Sequence, residues 1–144
     1  MANWGQVDFS ELVALRDKFQ NLQNIIDDFC IQVTQEISQD FVKAVIAKTP
    51  GGQTGALKNN WVSNIIKEGN IYKIEVINPL KYAEFVEFGH RQQPGRYVKA
   101  IGKRLKKSWV QGKFMLTITE RDLQRNLDKI IREKVNAFIM EALQ

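Results

Sequence analysis

A single cysteine and a single histidine leave this chain few routes to metal or redox chemistry. Lone Cys30 has no partner for an intramolecular disulfide and fits a reducing compartment. It falls within a helical apolar pattern, where a free thiol reads as buried filler rather than a reactive group. A closed zinc site needs four nitrogen, sulfur or carboxylate ligands, and one Cys with one His does not supply the usual set. No apolar run approaches the length of a membrane span. The opening Met1-Ala2-Asn3-Trp4-Gly5 lacks both the basic and the apolar region of an export signal. The hydrophobic fraction is 44%, ordinary for a folded chain, so disorder is not expected. At 144 residues the chain is read as one domain, 1–144.

Another scarcity is local. Between Glu87 and Glu120 there is no Asp or Glu, while Arg91, Arg96, Lys99, Lys103, Arg104, Lys106, Lys107 and Lys113 all fall there. Those eight positive charges exceed the net charge of +5, so the rest of the chain is at −3. A mildly acidic body thus carries one strongly basic segment, 91–108. Such asymmetry points to a partner of negative potential, either nucleic acid or an acidic face of a neighbouring protein; the third reading is a solvated surface. Its Pro94-Gly95 and sparse apolar residues predict a segment that is mobile or extended in the free chain.

Apolar residues Leu12, Leu15, Phe19, Leu22, Ile26, Phe29, Val33, Ile37, Phe41 and Ala44 recur by threes and fours, the period of one helical face. Asp8 and Glu11 offer a capping box, with Val7 stapling onto Leu12. The pattern fits either one long helix or two joined near Asn21–Asp28. It must stop by Thr49, because Pro50 disfavours helix in the residue before it and Gly51-Gly52 cannot sustain one. Thr54, Gly55 and Leu57 form the turn into a strand expected from Lys58, with Gly55 at a positive φ or a close backbone approach. Trp61–Ile66 and Ile71–Ile77 flank Glu68-Gly69-Asn70 and predict a hairpin, with Tyr72, Ile74 and Val76 on one face and Lys73 and Glu75 on the other. Asn78-Pro79 turns the chain out of the sheet. Tyr82–Phe88 fits a strand or a helical turn, and Gln92–Gly95 is loop. Tyr97, Ile101 and Leu105 suggest a short basic helix over 97–107. Lys113–Ile118 reads as a strand, and Thr119-Glu120-Arg121-Asp122 as the start of a second long helix, with Ile118 stapling onto Leu123. The apolar face of that helix, from Leu123 to Leu143, is expected to face the core. The fold class is α+β: a small antiparallel sheet packed with a long N-terminal helix, or helix pair, and a C-terminal helix.

Candidate chemistry is thin. His90 follows Gly89 and reads as a solvent-facing turn residue without an orienting group or a nucleophile beside it. Gly51-Gly52-Gln53-Thr54-Gly55 lacks the Lys-Ser/Thr ending of a phosphate loop and lies between a helix and a strand, the reverse of that motif. Glu84 and Glu87 have no second acidic cluster opposite them. No catalytic, metal or cofactor-binding residue emerges, so the expectation is a chain that is not an enzyme and takes no cofactor. Glu87 has two open readings. It accepts bonds from nearby backbone N–H groups or an arginine and locks the Gly89 turn, or it makes a charged contact between subunits.

In order and spacing, Thr49-Pro50, Thr54-Gly55-Ala56-Leu57, the hairpin, and Tyr82-Ala83-Glu84-Phe85-Val86-Glu87-Phe88-Gly89 resemble a family of small tail components of long-tailed and contractile phages. Trp109-Val110-Gln111-Gly112-Lys113-Phe114-Met115-Leu116 is similar to the branch found in phages and defective prophages of Gram-positive bacteria. The resemblance runs over roughly residues 8 to 142 and departs at 91–108. It implies a structural subunit of the neck or tail-terminating ring, commonly six-fold, at the head end of the tail tube. The ring would be assembled in the bacterial cytoplasm, with tube, sheath or head-connector proteins as partners and no membrane. Tyr82, Glu84, Glu87 and Phe88, with Arg91, Arg96, Lys99, Lys103, Arg104, Lys106 and Lys107, are then the candidate interface; Thr54, Gly55, Leu57 and Gly89 are structural. The rival reading is a small protein binding nucleic acid through its phosphates, without sequence preference, by way of 91–108.

Overall fold

The computed structural model describes residues 7–144, so the expectation placed on Met1–Gly5 lies outside the described residues. One unbroken helix, α1, runs over Ser10–Lys48. Its 39 residues make a rod about 58 Å long. The alternative break near Asn21–Asp28 does not occur. Asp8 Oδ1 accepts the N–H of Ser10 at 2.8 Å, satisfying one orphan donor of the first turn. Val7 and Leu12 are both exposed, so no hydrophobic staple closes over that end. At the other end Thr49 turns extended and its side chain takes over the termination. Thr49 Oγ1 donates to the Val45 carbonyl at 2.7 Å and accepts the indole N–H of Trp61 at 2.8 Å. The Thr-Pro pair thus anchors the incoming hairpin as well as ending the helix.

Gly55, at φ +67, precedes a single helical turn, α2 (Ala56–Asn59). The strand expected from Lys58 therefore begins later, at Val62, because Ala56–Asn59 first spends one turn burying Leu57 in the core. Strands β1 (Val62–Glu68) and β2 (Ile71–Ile77) form an antiparallel hairpin closed by Gly69-Asn70, with Glu68 opposite Ile71. Tyr72, Ile74 and Val76 turn inward, half-buried, and Lys73 and Glu75 face out. Asn78 locks the exit: its Nδ2 donates to the Leu57 carbonyl at 2.8 Å and its Oδ1 accepts the Leu80 N–H at 3.2 Å.

Tyr82–Phe88 resolves as helix, α3 (Ala83–Phe88), followed by β3 (Gly89–Arg91). The segment expected as a basic helix is instead a β-ribbon, with β4 (Tyr97–Val98), a 3-10 turn at Lys99–Ile101 and β5 (Lys103–Arg104). β6 (Trp109–Gln111) pairs with β3, and bonds from Gln92 to Ser108 and between Gly95, Arg96 and Leu105 join the two short ladders into one arm. Backbone pairing overrides the spacing of Tyr97, Ile101 and Leu105, and Gly95 and Gly102, both at positive φ, permit the bends.

The largest correction concerns Lys113–Ile118. These residues are not a strand: α4 begins at Met115 and runs to Ala142, so the start expected at Thr119 lies inside the helix. Thr119, buried, donates its hydroxyl to the Met115 carbonyl rather than capping anything. α4 runs antiparallel to α1, with Asp122 beside Lys48 and Phe138 stacked on Phe29 at 4.2 Å. Leu123, Leu127, Val135 and Phe138 are half-buried, whereas Ile131 and Leu143 are exposed. The architecture is α+β, with three two-stranded antiparallel sheets among the described residues. The core lies at the Lys48 end of α1: Phe41, Val45, Leu57, Ala83 and Met115, backed by Trp61, Val76, Leu80, Val86, Leu116 and Leu123.

Candidate functional site

Glu87 is 6% exposed, and its carboxylate is spent on the first turn of α4. Oε2 accepts the Leu116 N–H at 3.0 Å; Oε1 accepts the Thr117 N–H at 2.9 Å and the Thr117 hydroxyl at 2.7 Å. An anion with three donors at a helix N-terminus satisfies orphan N–H groups and complements the helix dipole. The Glu87 carbonyl also accepts the Phe114 N–H at 3.0 Å, and Phe114 takes φ +49, a left-handed conformation uncommon outside glycine. The carboxylate therefore acts across 29 residues of sequence, and it engages α4 rather than the Gly89 turn.

Beside it two backbones cross almost in contact. Gly89 has φ +83, and a Cβ there would lie 2.4 Å from the Val110 carbonyl oxygen. A Cβ on Gly112 would lie 2.4 Å from the Glu87 carbonyl oxygen. Gly112, quoted in the Trp109–Leu116 string but given no role there, is thus the second structural glycine of the crossing. His90 is not a solvent-facing turn residue. It sits in β3, half-buried, its ring 5.7 Å from Phe85 and its Nδ1 buried without a partner. Around this crossing Phe85, Phe88 and Trp109 are each about half exposed, and Phe88 meets Phe114 edge-on at 6.4 Å. Arg91 lies opposite Trp109 in the ladder. Tyr82, Glu84, Arg96, Lys99, Lys103, Arg104, Lys106 and Lys107 are all exposed, the last six on the ribbon. Arg104 is tied down by donating to the Gly95 carbonyl at 2.8 Å.

A second uncovered surface lies at the far end of α1. Leu12, Val13, Leu15, Phe19, Leu22, Ile25 and Ile26 are 45–63% exposed. The body's polar hold on the helix ends at Asp27, which accepts from Tyr72 Oη at 3.3 Å and pairs with Lys67 at 3.5 Å. The Lys67 pKa is raised, first by its hydrogen bond with Tyr72 and then by the neighbouring Asp27 charge. Further along, Lys134 pairs with Glu36, and this contact, assisted by Gln32, holds the Glu36 carboxyl below its usual value. Cys30 is half-buried on the wall of an apolar groove of about 420 Å³ between α1, β2 and α4, not a filled core position.

Among the described residues no His, Cys, Asp and Glu side chains cluster as metal ligands, and no helix is long and apolar enough to cross a membrane. Among the described residues, large apolar side chains are left exposed on the outer half of α1, around Phe85, Phe88 and Trp109, on the hairpin and at the end of α4. The chain belongs to the family described as "Bacteriophage HK97-gp10, putative tail-component", whose model matches residues 14–89, from the outer part of α1 to the Gly89 turn. No curated protein and no solved structure matches it.

Proposed function

We propose that this tail component is a non-enzymatic structural subunit that forms a ring, six-fold by the family resemblance, in the neck or at the tail-terminating end of a phage or phage-like particle. Its location would be the assembled particle, and its partners further copies of itself with tube, sheath or head-connector proteins. The observation that carries the reading is the location of the uncovered apolar surface. Besides exposed apolar residues on the hairpin and at the end of α4, one face is the outer half of α1 and another surrounds Phe85, Phe88 and Trp109, toward opposite ends of α1. A chain that leaves such faces open is completed by neighbours, since contiguous exposed apolar surface marks interaction sites. Side-by-side packing of one face on the other repeats the same contact around a closed ring. Loss of the chain from the particle that encodes it should leave tail tubes of irregular length or tails unjoined to heads. Electron micrographs showing normal, joined tails would sink the proposal.

The extended basic ribbon supports one further reading, contact with DNA. A two-stranded β-ribbon fits the major groove, and this one carries no acidic residue to repel phosphate. Binding of the isolated chain to generic duplex DNA should then weaken steeply with added salt. Absence of binding at low salt removes this reading.

A further inference from the structure

Two of the uncovered surfaces are opposite in charge. Residues 7–28 hold five acids, Asp8, Glu11, Asp17, Asp27 and Asp28, against the two bases Arg16 and Lys18, a net −3, or −2 once Asp27, paired with Lys67 inside the fold, is set aside. Residues 91–108 hold seven bases and no acid. The two surfaces cannot meet within one copy. The ribbon springs from the crossing beside the N-terminus of α4, which lies at the Lys48 end of α1, while the helix before Ile25 projects past the end of α4, whose Glu141 and Ala142 lie near Ile25 and Asp28. We propose that the acidic, apolar outer half of α1 of one copy docks on the basic, aromatic face of the next copy. This deepens the ring reading and rests on it for the identity of the partner.

The apolar stripe from Leu12 to Ile26 is about 21 Å long, an extended face for a partner to cover. Half-exposed aromatics beside arginine are what the centre of a protein interface is built from. Opposite net charge then sets polarity: it disfavours arm-to-arm and ribbon-to-ribbon pairing and favours head-to-tail contact. A head-to-tail contact closes into a ring or runs on as a filament.

The test uses the full chain in two charge-reversed forms. One carries Glu11→Lys, Asp17→Lys and Asp28→Lys; the other carries Lys99→Glu, Lys103→Glu, Lys106→Glu and Lys107→Glu. Asp27 and Arg104 are spared because each holds a bond inside the fold. Sedimentation velocity at low salt should show the unaltered chain self-associating and each form alone at least about tenfold weaker. Mixing the two should restore association, since each helix then meets a ribbon of opposite sign. Circular dichroism establishes that both forms are folded. Should one be unfolded, disulfide trapping decides instead: in a Cys30→Ser background, chains with Phe19→Cys should cross-link to chains with Ser108→Cys. A folded mixture that stays dissociated, or an absence of cross-links, overturns the docking. So does normal association of the ribbon form alone, which would seat the helix elsewhere. Association insensitive to both reversals overturns the docking and leaves the ring standing. A chain that stays monomeric at its highest soluble concentration overturns both.

Discussion

The two halves of α1 carry the same apolar rhythm and meet opposite fates. From Phe29 to Lys48 the stripe packs: Ile37 and Phe41 are nearly enclosed and Val45 is fully so. From Ser10 to Asp28 the same spacing of Leu and Phe stands in solvent, and Phe19 is 63% exposed. Periodicity states that a helix has an apolar face. It says nothing of whether α4, the hairpin or a different molecule covers it. Most helical stability in proteins comes from packing of an apolar face, and here only the inner half of α1 has that packing within the chain.

The sharpest way to break the comparison is one truncation in each half. Phe41→Ala removes a core side chain beside Val45 and Met115 and should cost about 3–5 kcal/mol. Phe19→Ala should change monomer stability by no more than about 0.5 kcal/mol. Urea unfolding of both, at dilutions that keep the chain monomeric, measures the difference. Equal losses would mean that the outer half is packed in solution. At the packed end, Gly89→Val meets both a positive φ and a backbone oxygen 2.4 Å from its Cβ, with no flexible side chain able to yield. A loss on the order of 2–4 kcal/mol is expected. Gly55→Val should cost less, about 1–3 kcal/mol, since the tightest neighbour of its new Cβ is the flexible Asn59 amide at 3.3 Å, with the Gly51 carbonyl oxygen at 4.0 Å. Either variant melting at the wild-type temperature would show that its turn relaxes freely.

Glu87→Gln tests how the packed end is tied together. The glutamine keeps one acceptor for the first turn of α4 but loses the charge and buries an amide N–H2 beside N–H donors. A loss of about 1–3 kcal/mol should appear as a lower urea midpoint. An unchanged midpoint would make the contact incidental to stability. This cap also marks where sequence reading stops working. The first helix, its end at Thr49 and the Gly69-Asn70 hairpin were legible because their signals are local: a 3.6-residue period, a Pro after the last turn, two alternating runs about a glycine. The start of α4 was not legible. Lys113–Ile118 is rich in aromatic and β-branched residues and reads as strand, and the carboxylate that makes it helical lies 29 residues away. The ribbon was misread for a related reason: its cross-strand partners outweigh a chance four-residue spacing. Glu87 reads from the sequence as an acceptor locking the Gly89 turn or as a subunit contact, whereas its partner, the terminus of α4, is fixed only by the fold.

The smallest effect lies nearest the boundary between the two halves. Glu36 on α1 and Lys134 on α4 pair within the packed half, about two turns from Phe29, and the lysine holds the Glu36 carboxyl below the usual glutamate value of 4.5. A folded-state pKa lower than the unfolded one means that the pair stabilises the fold above the unfolded value. That contribution is lost as pH falls through the folded value. Because both side chains remain partly exposed, solvent screening keeps it to a few tenths of a kcal/mol. Glu36→Gln should therefore melt slightly below the unaltered chain at pH 7. The gap should close as pH falls through the lowered folded-state value, where the wild-type carboxyl becomes protonated. Melting temperatures of the two chains across that range, at low and high salt, provide the measurement. A gap that persists unchanged into acid would assign the effect to packing of the side-chain stem rather than to charge.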